Sequence, residues 1–272
     1  MSHRLSKTAL SIIMALVLVG MLFPLIYMLL TSLKEITSLS GLRLFSVSEF
    51  SFKNYIDMFS RGGITGFVFN SAFVAVIVTV GNIIFCLMSG YALARKRFFG
   101  NKLLFISATA VLMIPQHVVI IPVYILVSKL GMHNTYWALI LPWLVNPLGI
   151  FLMRQYISNL PDDCEQAARI DGAGEFRILF QIVMPLCKPA LAVLAIQVFL
   201  TNWNSFLYPF ILTSSPELYT LPVGLAMMQG LQQINLGQLM AGSTIAALPV
   251  IVVFLLFQRQ ITEGITAGAV KG

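Results

Sequence analysis

The sequence predicts an all-α, polytopic membrane protein with six transmembrane helices and both termini cytoplasmic, forming a single transmembrane domain over residues 1–272. Three observations carry this. Hydrophobic residues make up 58% and charged residues 10% of the chain, against about 45–50% and about 25% in an ordinary soluble domain, and the mean hydropathy is +0.89. Six apolar runs are long enough for a bilayer, which needs about 18 or more uncharged residues per helix. Basic residues cluster at alternate ends of those runs.

The runs fall at about 8–33, 67–94, 103–128, 135–153, 189–213 and 238–258. They are continuous rather than alternating, so helices fit them better than barrel strands. In lipid every backbone N–H and C=O must find a partner within the protein, and a helix achieves this within one segment. Arg4 and Lys7 precede the first run and give it the look of an export signal. Its length exceeds the roughly 7–15 residues of a signal core, and no small-residue cleavage pattern follows at "LTSLKEI", so it reads as a retained first helix. The segment 34–66 contains an amphipathic stretch, "SFKNYIDMFS", expected at the outer surface.

The basic residues set the orientation, because cytoplasmic loops retain Lys and Arg. Arg4, Lys7, Arg95, Lys96, Arg97, Lys102, Arg154, Arg169, Arg177, Lys188, Arg259 and Lys271 lie on one side, and Lys34, Arg43, Lys53, Arg61 and Lys129 on the other. The larger set marks the cytoplasm. The net charge of +7 is thus a topology signal and needs no nucleic acid to explain it. Cys86, Cys164 and Cys187 show no metal-ligand spacing and are expected as free thiols, since disulfides are rare in a reducing compartment.

No Asp, Glu, Lys or Arg occupies the centre of any span. A charge there costs roughly 2.5–3.5 kcal/mol on insertion scales and usually marks a proton or ion relay. His117, in "IPQHVVIIP", reads as a hydrogen-bonded structural residue. The phosphate-cradling pattern G-x-x-x-x-G-K-[ST], H-E-x-x-H and G-x-S-x-G are all missing, so catalytic and metal sites are not expected. If this chain does work, a partner supplies the energy.

The chain's one charged island, "EQAARIDGAGEFRILFQIVMPL" at 165–186, is the feature available for that purpose. Ser158 or Asn159 can cap a short helix there, with Pro161 in its first turn. Asp162, Asp163 and Glu165 lie near the positive end of its dipole, and Glu165 and Arg169 form an i,i+4 pair. Gly172 can take the left-handed conformation that ends a helix. A second helical stretch, "EFRILFQIVM", is expected to carry Phe176, Leu179, Phe180 and Val183 along one side, with Pro185 interrupting it before the fifth span. Two readings stay open on these grounds: a connector resting on its own bundle, or a knob offered to a cytoplasmic partner.

The island resembles the cytoplasmic coupling loop of ABC importer permeases, whose pattern is E-A-A, three residues, G, nine residues, I-x-L-P. Ala167, Ala168, Gly172, Ile182 and Pro185 stand at matching positions. Gln166 replaces the motif glutamate, with Glu165 one position earlier, and Met184 replaces the leucine. "FNSAFVAVIVTVGNIIFCLMSGYALARKRFFG", "MIPQHVVIIPVYILVSKLGMHNTYWALILP", "WNSFLYP" and "GITAGAVKG" resemble carbohydrate-importer permeases of the maltose type, so the similarity covers almost the whole chain. It implies the type I ABC importer fold. It also implies a permease subunit forming half of a carbohydrate pathway in a bacterial or archaeal cytoplasmic (inner) membrane. The implied partners are a second homologous permease, two ATP-binding cassette subunits and an extracellular or periplasmic solute-binding protein. ATP and Mg would bind the ATPase subunits, and this chain would hold no cofactor. Glu165, Gln166, Ala167, Ala168, Asp171, Gly172, Ile182 and Pro185 would then form the ATPase-coupling surface, and the tail 264–272 would reach the ATPase dimer.

Sugars need hydrogen bonds and flat apolar faces, so amides beside aromatics are the search term for the pathway. Asn202, Trp203, Asn204 and Tyr208 in the fifth span, Asn82 in the second, Gln116 and Tyr124 in the third and Asn146 in the fourth are the expected lining. The competing role for such residues is an interhelical bond, worth about 0.6 kcal/mol on average. Pro115, Pro122, Pro142, Pro147 and Pro209 mark possible bends. Two other classes of function compete with this one: a secondary carrier acting without ATP, and an intramembrane enzyme. The spans offer a relay for neither the first nor a nucleophile-base pair for the second. An ABC permease for an amino acid or peptide shares the loop pattern and is opposed by the longer signatures alone.

Overall fold

The computed structural model describes residues 2–35, 50–61, 63–231 and 235–269. Among them the only regular structure is helical. Parts of the outer segment (36–49 and 62) and the last three residues of the tail (270–272) lie outside the described residues. The chain divides into two compact units, Met1–Gly66 with Leu221–Pro249, and Phe67–Thr220 with Val250–Gly272.

In the first unit, α1 (Ser2–Ser32) is the predicted first span, and its described side chains from Leu10 to Leu25 are all exposed within the chain. The amphipathic stretch forms α2 (Lys53–Arg61). Its Asn54 is buried and donates from Nδ2 to the carbonyls of Ser32 (2.9 Å) and Lys34 (2.8 Å), tying α2 to the end of α1. Met58 is buried on the same helix.

The second unit is built on α3 (Ile64–Arg95), the predicted second span. The third span is not one straight helix. It consists of α4 (Asn101–Ala110), a 3₁₀ turn Val111–Met113, a second 3₁₀ turn Gln116–Val119 and α5 (Ile120–Lys129), with a bend of 96° between the halves. Ile114, immediately before Pro115, is extended (φ −87°, ψ 118°), because a following proline ring disfavours the α region. The fourth span comprises α6 (Tyr136–Ile140), a 3₁₀ turn Leu141–Trp143 and α7 (Pro147–Ser158), whose first residue is a proline that needs no N–H partner there. Pro122 sits in the first turn of α5 and bends nothing.

Next come α8 (Asp163–Ile170), α9 (Glu175–Ile178), a π-helical turn Leu179–Val183 and α10 (Met184–Leu186). At Cys187 the chain turns by 82° into α11 (Lys188–Trp203), the main part of the fifth span, followed by α12 (Leu207–Leu212). The chain then re-enters the first unit through α13 (Leu221–Leu231), and α14 (Leu236–Ala269) contains the sixth span and most of the expected tail. Among the described residues four helices are long and apolar enough to cross a bilayer, and six spans result when each bent pair counts as one.

The core of the second unit lies where α3, α7 and α11 meet. Small residues permit the close approach: a Cβ on Gly149 of α7 would lie 2.7 Å from Cys86 Sγ on α3 and 2.9 Å from Leu194 on α11. With no hydrophobic drive between helices in lipid, such contacts supply the dispersion energy that holds spans together. At the opposite end from the charged island, Asn134 (φ 59°) accepts from the backbone N–H of Ser214 (2.8 Å) and Ser215 (3.0 Å), and Asn70 donates to the carbonyls of Glu217 (2.7 Å) and Tyr219 (2.9 Å). These bonds fix the loop after α12.

Candidate coupling site

The island folds as two short helices around a tight turn. The first helix starts later than expected. Ser158 ends α7 and Asn159 caps its C-terminus, while Asp162 occupies the N-cap of α8 without a side-chain capping bond. Its carboxylate instead meets Arg95 Nη1 at 2.6 Å. Asp163 and Glu165 do occupy the first turn, where the helix dipole favours negative charge.

The turn follows the expectation for Gly172. Its φ is 79°, and its N–H donates to Arg169 O (3.1 Å) while Ala173 N–H donates to Ala168 O (2.9 Å). This pair of bonds is the Schellman motif, which satisfies carbonyls left open at a helix end and needs a left-handed residue at that position.

The helix faces then sort the residues expected to form the coupling surface. Gln166, Ala167, Asp171 and Gly172 are exposed, and so is Pro185 at the start of α10. Ala168 and Ile182 are half-buried against the core of the second unit. Glu165 is the departure from expectation: read as contact surface for a partner, it lies inside the chain with its side chain 3% exposed. Three donors account for this. Arg95 Nε reaches Oε1 at 2.9 Å, Arg169 Nη2 reaches Oε2 at 3.3 Å, and the Tyr91 hydroxyl shares its one proton between Oε2, at 3.3 Å, and Glu175, at 2.9 Å. A buried carboxylate is tolerated only when so paired and hydrogen-bonded.

The second stretch also departs from its expected face. Ile178, Leu179 and Val183 are buried, whereas Phe176 is 71% and Phe180 37% exposed. The π turn inserts an extra residue into the helical repeat and rotates the downstream face relative to the upstream one. Phe176, upstream of that turn, joins Ile170, which is 87% exposed, as a large apolar side chain outward on a charged loop. Neither was among the residues predicted for the site; their only signal was that they are apolar and flank the glycine turn.

Electrostatics complete the loop's seating. Lys96 Nζ lies 2.5 Å from Glu175 Oε1, Arg169 Nε lies 3.5 Å from the same oxygen, and the Tyr91 hydroxyl donates to Glu175 Oε2 at 2.9 Å. The Lys96 ammonium, aided by the Tyr91 hydroxyl and opposed by partial burial, holds the Glu175 carboxyl below the usual carboxylate range. Arg95 and Lys96 entered the sequence reading only as topology markers. Their pairing across about 70 residues leaves no local pattern in the chain.

The expected pathway residues divide. Asn82 is 1% exposed, and its amide donates to Val78 O (3.0 Å) and Trp143 O (2.6 Å), so it serves as an interhelical tie instead of lining. Trp203 (2% exposed) and Tyr208 (5%) are likewise buried. Tyr208 donates to Gln116 O at 2.6 Å and sets its ring edge-on to Trp143 at 4.4 Å, which brings Gln116, Trp143 and Tyr208 together. Asn146 caps α7 by accepting from Leu148 N–H at 3.0 Å. Asn202 and Asn204 donate back to Val198 and Leu200 carbonyls of their own helix, each at 2.9 Å. Gln116, Tyr124 and Asn204 remain exposed at the surface of the chain.

Comparison with known proteins agrees with this fold. A solved chain of a bacterial ABC transporter involved in import of the acidic polysaccharide alginate superposes with a TM-score of 0.84 at 21% identity, covering 95% of this chain and 97% of the other. The arabinooligosaccharides transport system permease protein AraQ of Halalkalibacterium halodurans is 39% identical over 254 residues, 92% of this chain and 91% of its own. The trehalose/maltose transport system permease protein MalG of Thermococcus litoralis is 34% identical over 256 residues, 92% of each chain. Residues 82–265, which include the whole charged loop 159–188, match the binding-protein-dependent transport system inner membrane component family, and the chain belongs to that family.

Proposed function

We propose that this chain is one of two permease subunits of an ATP-driven carbohydrate importer in a bacterial or archaeal cytoplasmic membrane. Its pathway half is completed by a homologous permease, its solute is delivered by an extracellular binding protein, and its motion is driven by two ATPase subunits that hold ATP and Mg. The sugar class is supported by the arabinooligosaccharide and trehalose/maltose systems named for its relatives.

The observation that carries the coupling role is the two-sidedness of α8 and α9. One side is ion-paired into the bundle, and the other presents Gln166, Ala167, Ile170 and Phe176 to solvent. Exposed apolar side chains rimmed by charge mark a protein interface. Ala167 is small enough to admit a cleft wall, and Ile170 and Phe176 supply the apolar anchors. When ATP closes the paired ATPases, each cleft carries its coupling helix inward. The 82° joint at Cys187, next to Pro185, passes that displacement to α11.

The test is ATP-driven uptake of labelled arabino- and maltooligosaccharides by proteoliposomes holding this chain with the ATPase, second permease and binding protein of its own system. A cysteine at Ala167 should cross-link to the ATPase, and Ala167→Arg should abolish uptake. Uptake by this chain alone under an ion gradient, with no ATPase bound, would overturn the reading.

A further inference from the structure

The coupling helix is fastened to a third element that the motif does not mention. Three carboxylates (Asp162, Glu165 and Glu175) and three cations (Arg95, Lys96 and Arg169) interlock around the hydroxyl of Tyr91. Asp162 and Glu165 belong to the first limb of the loop, Glu175 to the second, Tyr91 and Arg95 to the cytoplasmic end of α3, and Lys96 follows it directly. Arg95 also donates from Nη2 to Leu160 O at 2.7 Å, so one guanidinium holds the chain before α8, the start of α8 and its first turn.

Burial separates this cluster from an ordinary surface network. The side chains of Arg95 and Glu165 are 11% and 3% exposed, whereas the pair Lys53–Glu35 is 58% and 52% exposed. Exposed pairs are screened and contribute little. Removing one partner of a buried pair leaves an uncompensated charge, so the geometry of such a pair is strongly enforced. The carboxylate's three donors come from two helices, and the planar fork of Arg95, whose Nε, Nη1 and Nη2 each hold an oxygen of a different residue, adds directional specificity that a lysine would not.

We propose that Glu165 is a positioning residue that locks α8 to the end of α3, making α3 a third element driven by the coupling loop alongside α7 and α11. It does not touch the ATPase; it decides whether displacement of α8 becomes displacement of a span or is absorbed by swivelling of a helix of eight residues. A helix that short does not hold its direction alone in water. Displacement of α3 would then carry with it the Asn82 tie to Trp143, at the aromatic set that includes Tyr208. This inference rests on the ATP-driven reading above.

The test uses the complete assembly in proteoliposomes, with Glu165→Gln and Tyr91→Phe compared with wild type. The lock predicts that sugar taken up per ATP hydrolysed falls by about five-fold or more for Glu165→Gln, and by a smaller factor for Tyr91→Phe, which keeps the Arg95 pair. Spin labels at Arg97 and Asp163, both exposed, report the geometry directly: in wild type their separation stays the same with and without ATP, and in Glu165→Gln its distribution broadens. A merely structural role would lower assembly yield without changing the ratio of sugar to ATP. Wild-type ratios in both variants, or a wild-type label separation that changes with ATP, would overturn the lock. If Glu165→Gln does not assemble, Tyr91→Phe and the wild-type label separation still decide it. An absence of ATP-driven uptake in wild type would instead defeat the parent reading, which keeps the two failures apart.

Discussion

A Cβ placed on Gly90 of α3 would lie 2.6 Å from the Cβ of Met153 in α7 and 2.9 Å from the backbone nitrogen of Arg154. These are not flexible side-chain tips, so neither atom can move aside without shifting α7. Gly→Ala within a helix ordinarily gains about 1 kcal/mol. Here overpacking, typically about 1–3 kcal/mol, acts against that gain. Gly90→Ala is expected to lower stability or leave it level, and Gly90→Val to lower it by a further step. Gly66→Ala, whose Cβ meets nothing within 4 Å in the same helix, should raise it. Unfolding of the detergent-solubilised chain measures all three, and a stabilising Gly90→Ala would show that α3 and α7 are not packed this closely.

Asn82 was expected to face a sugar and is instead buried between α3 and the turn before α7. Replacing it with leucine leaves Trp143 O without its 2.6 Å donor. Interhelical bonds in membranes average about 0.6 kcal/mol with a maximum near 1.7 kcal/mol, so Asn82→Leu should cost about 1 kcal/mol. Its effect on competition among different oligosaccharides for uptake should be uniform. A change in sugar preference, with stability intact, would return Asn82 to the pathway.

The contrast between Asn82 and Gly172 shows what the residue pattern can reveal. Apolar run length points to six spans, and among the described residues four helices are long and apolar enough, or six when each bent pair counts as one, because the bilayer imposes that length whatever the neighbours. The turn at Gly172 was legible because a glycine flanked by helical stretches has few other uses. The inward direction of Glu165 was not legible. Its i,i+4 pairing with Arg169 is present as read, but the partners that bury it, Tyr91 and Arg95, lie 74 and 70 residues upstream. Likewise Ile114–Pro115 and the π turn after Ile178 interrupt stretches whose hydropathy runs straight through them. Hydropathy averages over a window, whereas these breaks depend on one missing N–H or one inserted residue.

Gly172 supports a prediction that isolates backbone from contact. A Cβ there meets nothing within 4 Å, yet φ is 79°. Any loss on substitution therefore comes from the left-handed conformation, roughly 1–2 kcal/mol for an L-residue, and more for a β-branched one. Gly172→Val should weaken ATP-driven uptake several-fold by letting the two limbs of the loop reopen. Gly172→Asn, a residue that also ends helices in this conformation, should retain most of it. Equal activity of the two variants would mean that side-chain contact, and not the turn, governs position 172.

Glu175 gives the pH dependence its sign. Lys96 and Tyr91 favour its charged form in the folded chain, so its folded pKa lies below the unfolded value, which is about 4.3 for a glutamate. As pH falls the unfolded chain binds the proton first, and the stabilisation is lost as pH drops through the folded pKa; it is fully present above the unfolded value. The melting temperature of wild type should exceed that of Glu175→Gln at pH 6–7.5, with the gap closing once pH falls below about 4. Because the carboxylate is half exposed, added salt should narrow the gap at pH 7 by screening the Lys96 ammonium. A gap that widened on acidification would reverse the assigned sign and remove Lys96 as the cause.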